Sequence, residues 1–235
     1  METSLHRQLK VLYAANEAQV EVCLDGFRID AIAQCGELIE IQHASLGALR
    51  DKTLKLLSQS KHSLRIVKPI IQRKRVITLT ERGGQIKRSR MSPKRGEWLD
   101  IFLDLVHFTS VFPRKRLTLE VVMIEAEESR VDRVRASRRG KKYFPVDQHL
   151  VAVGQSIVLR TKRDLLDQLP MHALPSIFGT AELAAAMQRP KWFAQKVAYC
   201  LREIGAVKLA GKRGNNLLYQ TLPARHARLK KPTAA

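Results

Sequence analysis

The fold is decided by residues 20–42, which read VEVCLDGFRIDAIAQCGELIEIQ. From Val20 to Leu24 apolar residues alternate with other types, which is typical of a half-buried strand. Asp25-Gly26 predicts a tight hairpin turn, so a second strand is expected over residues 27–33. After another turn, residues 38–42 predict a third strand. This part of the chain therefore indicates three successive strands.

Helical patterns flank these strands. Apolar residues recur at helical spacing after Ser4 and again over residues 46–59. A fourth strand is predicted over residues 64–68 and is expected to end at Pro69. The order helix, three strands, helix, strand indicates an α/β domain.

The middle of the chain extends this domain to about residue 155. Residues 72–96 are basic and rich in turn formers, and Gly83-Gly84 predicts the tip of a hairpin. A long apolar helix is predicted over residues 98–112 and a strand over residues 117–125. The predicted first domain therefore covers residues 1–155 and carries a β/α extension.

The C-terminal part predicts a second, smaller domain over residues 160–222. A short helix over residues 181–187 is followed by a longer one that begins at Pro190 and ends at Gly205. Two strands follow, and residues 223–235 predict a basic, disordered tail. The order helix, turn, helix, two strands resembles a winged helix-turn-helix domain.

That resemblance implies where DNA would be bound, because the second helix and the wing are the parts that approach the duplex. Side chains in the first turns of that helix and at the tip of the wing are the candidates: Lys191, Trp192, Gln195, Lys196, Lys212, Arg213 and Asn215. A winged helix that binds another protein, with Trp192 packed inside, is the alternative.

Charge points to the same partner. The chain has 42 Lys and Arg against 22 Asp and Glu, a net charge of +20. Residues 1–60 hold six basic and eight acidic residues, a balance of −2, so the remaining residues carry +22. Duplex DNA is the expected partner of so basic a surface. No apolar run is long enough to cross a bilayer, so no membrane partner is expected.

The cellular compartment is expected to be the cytoplasm, near the nucleoid. The first residues mix charged and apolar side chains and do not resemble a signal peptide. The three cysteines have no metal-ligand spacing, which favours free thiols in a reducing compartment.

Two carboxylates on neighbouring predicted strands form the main candidate site. Asp30 lies on the second strand and Glu40 on the third, so pairing of these strands would bring the carboxylates together. Such a pair attracts a cation, and its hard oxygen atoms suit Mg²⁺ or Mn²⁺. The backbone carbonyl of Ile41 is a third candidate ligand.

These residues resemble a known superfamily. The stretches FRIDA, LIEIQ and LRIVKP, at residues 27–31, 38–42 and 64–69, are similar to the core of the PD-(D/E)xK restriction-endonuclease-like proteins. The resemblance implies that Asp30 and Glu40 bind the metal. Gln42 departs from the pattern because it stands where most members have lysine. Lys52, one helix away, is the candidate for the missing cation, and Lys10 is a weaker one.

Other acidic residues and histidines favour plainer interpretations. Asp100 and Asp104 share one helical face, which is typical of a solvated stripe. His43 is expected in a surface loop, and His6 beside the sheet is ambiguous. Asp30 itself could simply pair with Arg28.

Two functions follow as expectations. The first is a metal-dependent DNA endonuclease or nickase that uses Asp30, Glu40, Gln42 and Lys52, in defence, repair or mobile-element processing. The alternative is a non-catalytic DNA-binding or regulatory protein on a degenerate nuclease scaffold, and Gln42 favours it. A homodimer is an open alternative in either case.

Overall fold

Seven strands form one mixed sheet in the computed structural model, which describes residues 2–133 and 142–222. The helices are α1 (Ser4–Tyr13), α2 (Arg50–Gln59), α3 (Ile101–Leu105), α4 (Lys162–Asp167), α5 (Thr180–Met187) and α6 (Lys191–Glu203). The strands are β1 (Val20–Leu24), β2 (Phe27–Ile32), β3 (Leu38–Ile41), β4 (Leu64–Leu79), β5 (Ile86–Met91), β6 (Leu117–Asp132), β7 (Tyr143–Leu159), β8 (Ile177–Gly179), β9 (Val207–Arg213) and β10 (Asn216–Thr221).

The strand order in the large sheet is β1-β2-β3-β4-β6-β7, and β5 also pairs with β4. β1, β2 and β3 are antiparallel neighbours. β3 and β4 are parallel, so the chain must cross over between them, and α2 makes that crossover. The predicted order helix, three strands, helix, strand is therefore found, within a mixed α/β fold.

Each face of the sheet has its own apolar cover. On one face Leu5 and Leu9 of α1 pack against Ile39, Ile41 and Val67. The other face packs against α2, α3 and the C-terminal unit. Because both faces are covered, the central strands β3 and β4 are buried.

β4 continues through Pro69, where the sequence predicted an end. The Val67 carbonyl accepts a hydrogen bond from Gln42, so Val67 faces β3. Successive residues of a strand face opposite sides, which turns Lys68 toward β6 and Pro69 toward the β3 side. β3 has already ended at Ile41 there, so the missing N–H of Pro69 costs no ladder hydrogen bond.

The predicted helix over residues 98–112 is much shorter in the structure. A 3-10 turn at Trp98–Asp100 leads into α3, which ends at Leu105. Beyond it, short-range hydrogen bonds such as that from Val111 to the carbonyl of Phe108 form a run of turns. These turns bury apolar residues at nearly helical spacing, which explains why the sequence predicted a longer helix.

The C-terminal unit has the predicted helix, turn, helix and two strands. Its sheet has the order β8-β10-β9, and Gly205 at φ +70° follows the end of α6. α4 and β8 were not predicted. The division at residues 155–160 stays a prediction, since the buried core continues from Phe102 of α3 to Phe193 and Leu201 of α6. The predicted tail at residues 223–235 lies outside the described residues.

Candidate active site

β2 and β3 separate at a fork, which we call the sheet fork. Their pairing covers Ile32 with Leu38 and Ala31 with Ile39. Beyond these pairs β2 follows β1 to Phe27, while β3 follows β4 to Ile41. Asp30 and Glu40 are the first residues past the last pair, so both carboxyl groups lie at the opening of the sheet.

Asp30 bridges the fork through a backbone hydrogen bond. Its Oδ2 accepts the N–H of Ile41 at 2.8 Å. The N–H and C=O of one strand residue point to the same side, so the Ile41 carbonyl also lies on the Asp30 side of β3. The three residues predicted as metal ligands all lie at the fork, where Asp30 contacts Lys10 of α1 and Glu40 contacts Lys52 of α2.

Asp30 is ionised by its neighbours on α1. Its Oδ1 lies 3.1 Å from Nζ of Lys10 and 3.6 Å from Nε2 of His6. Burial by itself would raise the pKa of Asp30, but hydrogen bonds from His6 and Ile41 and the charge of Lys10 lower it to about 2.

Glu40 is the more buried carboxylate, with 4% of its surface exposed. Nζ of Lys52 lies 2.6 Å from its Oε1 and also donates to the carbonyl of Arg28 at 2.6 Å. Burial raises the pKa of Glu40, and the hydrogen bond and charge of Lys52 offset only part of that rise. Lys52 is therefore the counter-ion of Glu40, and it ties α2 to β2.

Lys10 holds a larger acidic cluster than the sequence suggested. It is 4% exposed, and its Nζ lies 2.7 Å from both Glu2 and Glu21 as well as near Asp30. Burial alone would lower the pKa of Lys10, but the three carboxylates raise it above its usual value. Glu2 and Glu21 were missed, because helical or strand spacing gives no sign that two distant acids share one lysine.

A cleft of about 540 Å³ opens over this cluster. Its lining includes Asp30, His6, Arg28, His43 and, from β7, Gln148. Arg28 pairs with Glu21 and not with Asp30. Every lining residue has a polar or charged side chain, so the cleft suits a charged ligand.

His43 lines this cleft and is not an exposed loop residue. Its ring centroid lies 5.6 Å from that of His6, and its Nε2 has no hydrogen-bond partner among the described residues. Burial lowers the pKa of His43 to about 4, so the imidazole is neutral near pH 7. Lys68 fixes the backbone here by donating to the carbonyls of His43 and Ala44.

Lys68 also explains an acidic residue that was expected to be solvated. Its Nζ lies 2.9 Å from Oδ2 of Asp104 on α3. Asp104 is thus part of the support of the cleft. Nothing in the sequence joins the two residues, because they belong to different elements.

Gln42 is directed elsewhere. Its Nε2 donates to the carbonyl of Ser45 at 2.7 Å, within the turn that precedes α2. The side-chain amide is therefore engaged by that turn and makes no hydrogen bond to Asp30 or Glu40.

A divalent cation fits the donor chemistry of the fork. Asp30 and Glu40 supply two carboxylates at the fork, and the Ile41 carbonyl lies on the Asp30 side. Within residues 2–133 and 142–222, no group of three His, Cys, Asp or Glu is arranged as a metal site. The fork therefore offers a two-carboxylate site in which Lys10 and Lys52 balance the negative charge.

The second candidate region is the exposed face of α6 with the turn between β9 and β10, here called the α6–wing surface. Lys191, Trp192 and Gln195 are exposed, with Trp192 at 54%, and Lys196 is partly exposed. Lys212, Arg213 and Asn215 are exposed at the turn. Nζ of Lys191 lies 3.4 Å from Oδ1 of Asn216, which joins helix and wing.

The same face carries two residues that sequence reasoning missed. Tyr199 is exposed, and the guanidinium of Arg202 lies 5.7 Å from the centre of its ring. Helical spacing from Trp192 and Gln195 to Tyr199 was the available signal.

In the described part of the chain, no helix is both long and apolar enough to span a membrane. No solved structure matches the chain significantly. An uncharacterized protein of Treponema pallidum (strain Nichols) is 31% identical over 222 residues, which cover 94% of this chain and 86% of that protein. The family model of a domain of unknown function, DUF8091, matches residues 3–160, from the start of α1 to the end of β7. The chain therefore belongs to the DUF8091 family.

Proposed function

We propose that this protein is a metal-dependent DNA endonuclease or nickase. The observation that carries the proposal is the position of Asp30 and Glu40 next to the last β2–β3 pair at the sheet fork, with Asp30 lining a charged cleft. The order of the surrounding elements supports it, because α1, the antiparallel β1-β2-β3, the α2 crossover and the parallel β4 follow the order expected from the resemblance to restriction-endonuclease-like proteins.

The chemistry would rest on the fork. A divalent ion bound there would polarise a phosphodiester and lower the pKa of an attacking water. Asp30 and Glu40 would hold such an ion, and Asp30 suits this role because it is ionised at any pH well above 2. Lys10 and Lys52 keep the carboxylates in place and limit their repulsion. Gln42 carries no charge and cannot act as a base.

The C-terminal unit would supply DNA binding. The chain order β8-α5-α6-β9-β10 and the sheet order β8-β10-β9 are similar to those of a winged helix, which supports this part of the proposal. α6 presents Lys191, Trp192 and Gln195 to the outside, as a recognition helix does. Lys212 and Arg213 are placed to contact phosphates from the wing.

A plasmid-nicking assay with Mg²⁺ or Mn²⁺ tests the proposal. We expect Asp30→Asn and Glu40→Gln each to reduce nicking by at least about 100-fold, because each removes a metal-ligand charge. Duplex binding should persist in both variants. Lys55→Met, which alters an exposed residue of α2 outside the fork, is the control and should nick normally. Equal nicking by all four proteins, or none by the wild type, would remove the proposal.

A non-catalytic DNA-binding protein is the second candidate. The observation in its favour is the engagement of Gln42 by Ser45, together with lysines on both carboxylates. Titration calorimetry with Mn²⁺ separates the two functions. Heat of binding that disappears in Asp30→Asn supports the nuclease, whereas its absence in the wild type supports the non-catalytic protein.

A further inference from the structure

The large sheet extends well beyond the fork as a four-stranded arm. β3 ends opposite Val67, but the pairing of β4 with β6 continues to Leu79 and Val131. β5 joins β4 from Arg75 onward. We call residues 73–79, 86–91, 125–132 and 143–149 the basic arm. At about 3.3 Å per residue, the twelve steps along the strand from Val67 to Leu79 span roughly 40 Å.

One face of the basic arm is lined with arginines. Residues that are directly opposite each other in a sheet place their side chains on the same face. Thr78 lies opposite both Arg88 of β5 and Arg130 of β6, and its Oγ1 accepts from Nε of each, at 3.3 and 3.4 Å. Arg90 lies opposite Val76, two residues before Thr78, and so shares that face.

This face leads directly to the cleft. Glu128 lies opposite Val76 and binds Nζ of Lys74 at 2.6 Å. Gln148 of β7 donates to the same carboxylate at 3.1 Å and also lines the cleft that contains Asp30. The arginine face and the carboxylate cleft therefore lie on one continuous side of the sheet.

The three cations of β5 have a single acidic partner among the described residues, Asp132. All six β5 residues are exposed; three are basic and none is acidic. Asp132 pairs with Lys87 at 3.1 Å and more distantly with Arg88 at 3.7 Å. Within the described ranges Arg90 has no ion pair within 4 Å. Arg88 and Arg90 are two positions apart on β5, about 6.7 Å, which is the scale of the distance between successive backbone phosphates.

We propose that the Arg88–Arg90 face of the basic arm binds the sugar–phosphate backbone of the duplex whose scissile strand enters the cleft. This inference rests on the proposed function for its partner, since it takes DNA as the substrate. The inference places the DNA contacts nearest the cleft on β5. These contacts would bind the backbone nearest the cut, whereas the α6–wing surface would bind a different part of the duplex.

Duplex binding by the full chain tests this inference. Fluorescence anisotropy of a labelled duplex is measured over a salt series for the wild type, for Arg88→Ala with Arg90→Ala, and for Arg88→Lys with Arg90→Lys. We expect the alanine pair to raise Kd about tenfold and to reduce the slope of log K against log salt by about 2. The lysine pair should stay near the wild type, because it keeps the charge.

Arg114→Ala with Lys115→Ala is the matched control. These exposed cations precede β6, at the opposite end of the sheet and on the order of 45 Å from Arg130. They should leave Kd and the salt slope unchanged. Thermal unfolding followed by circular dichroism checks that each variant is folded.

Three outcomes overturn the inference. The first is unchanged affinity and slope in the Arg88/Arg90 alanine pair, and the second is an equal loss in the control pair. The third is tighter binding of phosphatidylserine vesicles than of the duplex through the same two arginines. Failure of the proposed function gives a different result, because nicking would then be absent in the wild type while duplex binding still depended on Arg88 and Arg90.

Discussion

The sheet fork and the α6–wing surface use charge in opposite ways. At the fork, each lysine faces carboxylates at hydrogen-bond distance: Lys10 has Glu2, Glu21 and Asp30, and Lys52 has Glu40. On the α6–wing surface, Lys191 meets a neutral amide. The fork therefore balances its charge with buried ion pairs. On the α6–wing surface the ion pairs, such as Arg213 with Glu182, are exposed, and Lys191 and Lys212 face outward.

Replacing Lys52 is expected to disturb the fork most. Lys52→Met leaves the buried Glu40 carboxylate without its cation, which should lower the free energy of unfolding by about 3 to 5 kcal/mol at pH 7. Urea unfolding measures the loss. Lys55→Met, on the same helix but exposed, should change stability by less than about 0.5 kcal/mol.

The pH dependence of the Lys52→Met loss sharpens the comparison. Burial raises the folded-state pKa of Glu40 above its unfolded-state pKa, so the charged carboxylate lowers the free energy of unfolding at pH values above the folded-state pKa. Below the unfolded-state pKa the carboxyl group is protonated in both states, and this cost disappears. The gap between wild type and Lys52→Met should therefore shrink as the pH falls through that pKa. A gap that stays constant from pH 7 to pH 4 would mean that Lys52 acts by packing alone.

The contact that joins the start of α6 to the turn before α3 should give a smaller effect. Arg189, in the turn before α6, lies 2.6 Å from Asp100 and 3.2 Å from Glu97, and its guanidinium stacks on Phe193. Arg189→Ala should cost about 1 to 2 kcal/mol in urea unfolding. Arg163→Ala, an exposed partner of Asp167, serves as the control and should cost less than about 0.5 kcal/mol.

The smallest effect is expected at the wing. Lys212→Ala with Arg213→Ala removes two exposed cations and should raise the Kd for duplex DNA about fivefold at moderate salt. Stability should hardly change, because Lys212 is exposed and Arg213 has only a surface contact with Glu182. Anisotropy titration measures Kd. Unchanged binding would remove the α6–wing surface from the DNA contacts.

Local sequence signals predicted the parts of the fold that depend on local physics. Asp25-Gly26 predicted the β1–β2 hairpin, and both residues adopt positive φ there. The alternation within β2 and β3 placed Asp30 beside Glu40, because register follows from pleat and turn. Gly205 marked the end of α6 for the same kind of reason.

The missed parts depend on contacts between distant residues. The strand β6 was predicted to end at Glu125, yet it continues to Asp132, and Glu125 and Glu128 are paired with Arg73 and Lys74 of the neighbouring strand. Such cross-strand pairs allow charged residues inside a sheet. The environment of His43 was missed similarly, since its burial beside His6 is created by α1.

The packing of α6 on α3 has a consequence for how DNA would be processed. Sγ of Cys200 lies 3.7 Å from the carbonyl of Phe102, and Asp104 of α3 binds Lys68, which supports the backbone of the cleft at His43. The helix that would contact the duplex and the acids that would cut it are thus connected through the packed core. A nuclease built in this way would cut at a constant number of base pairs from the bases that α6 contacts.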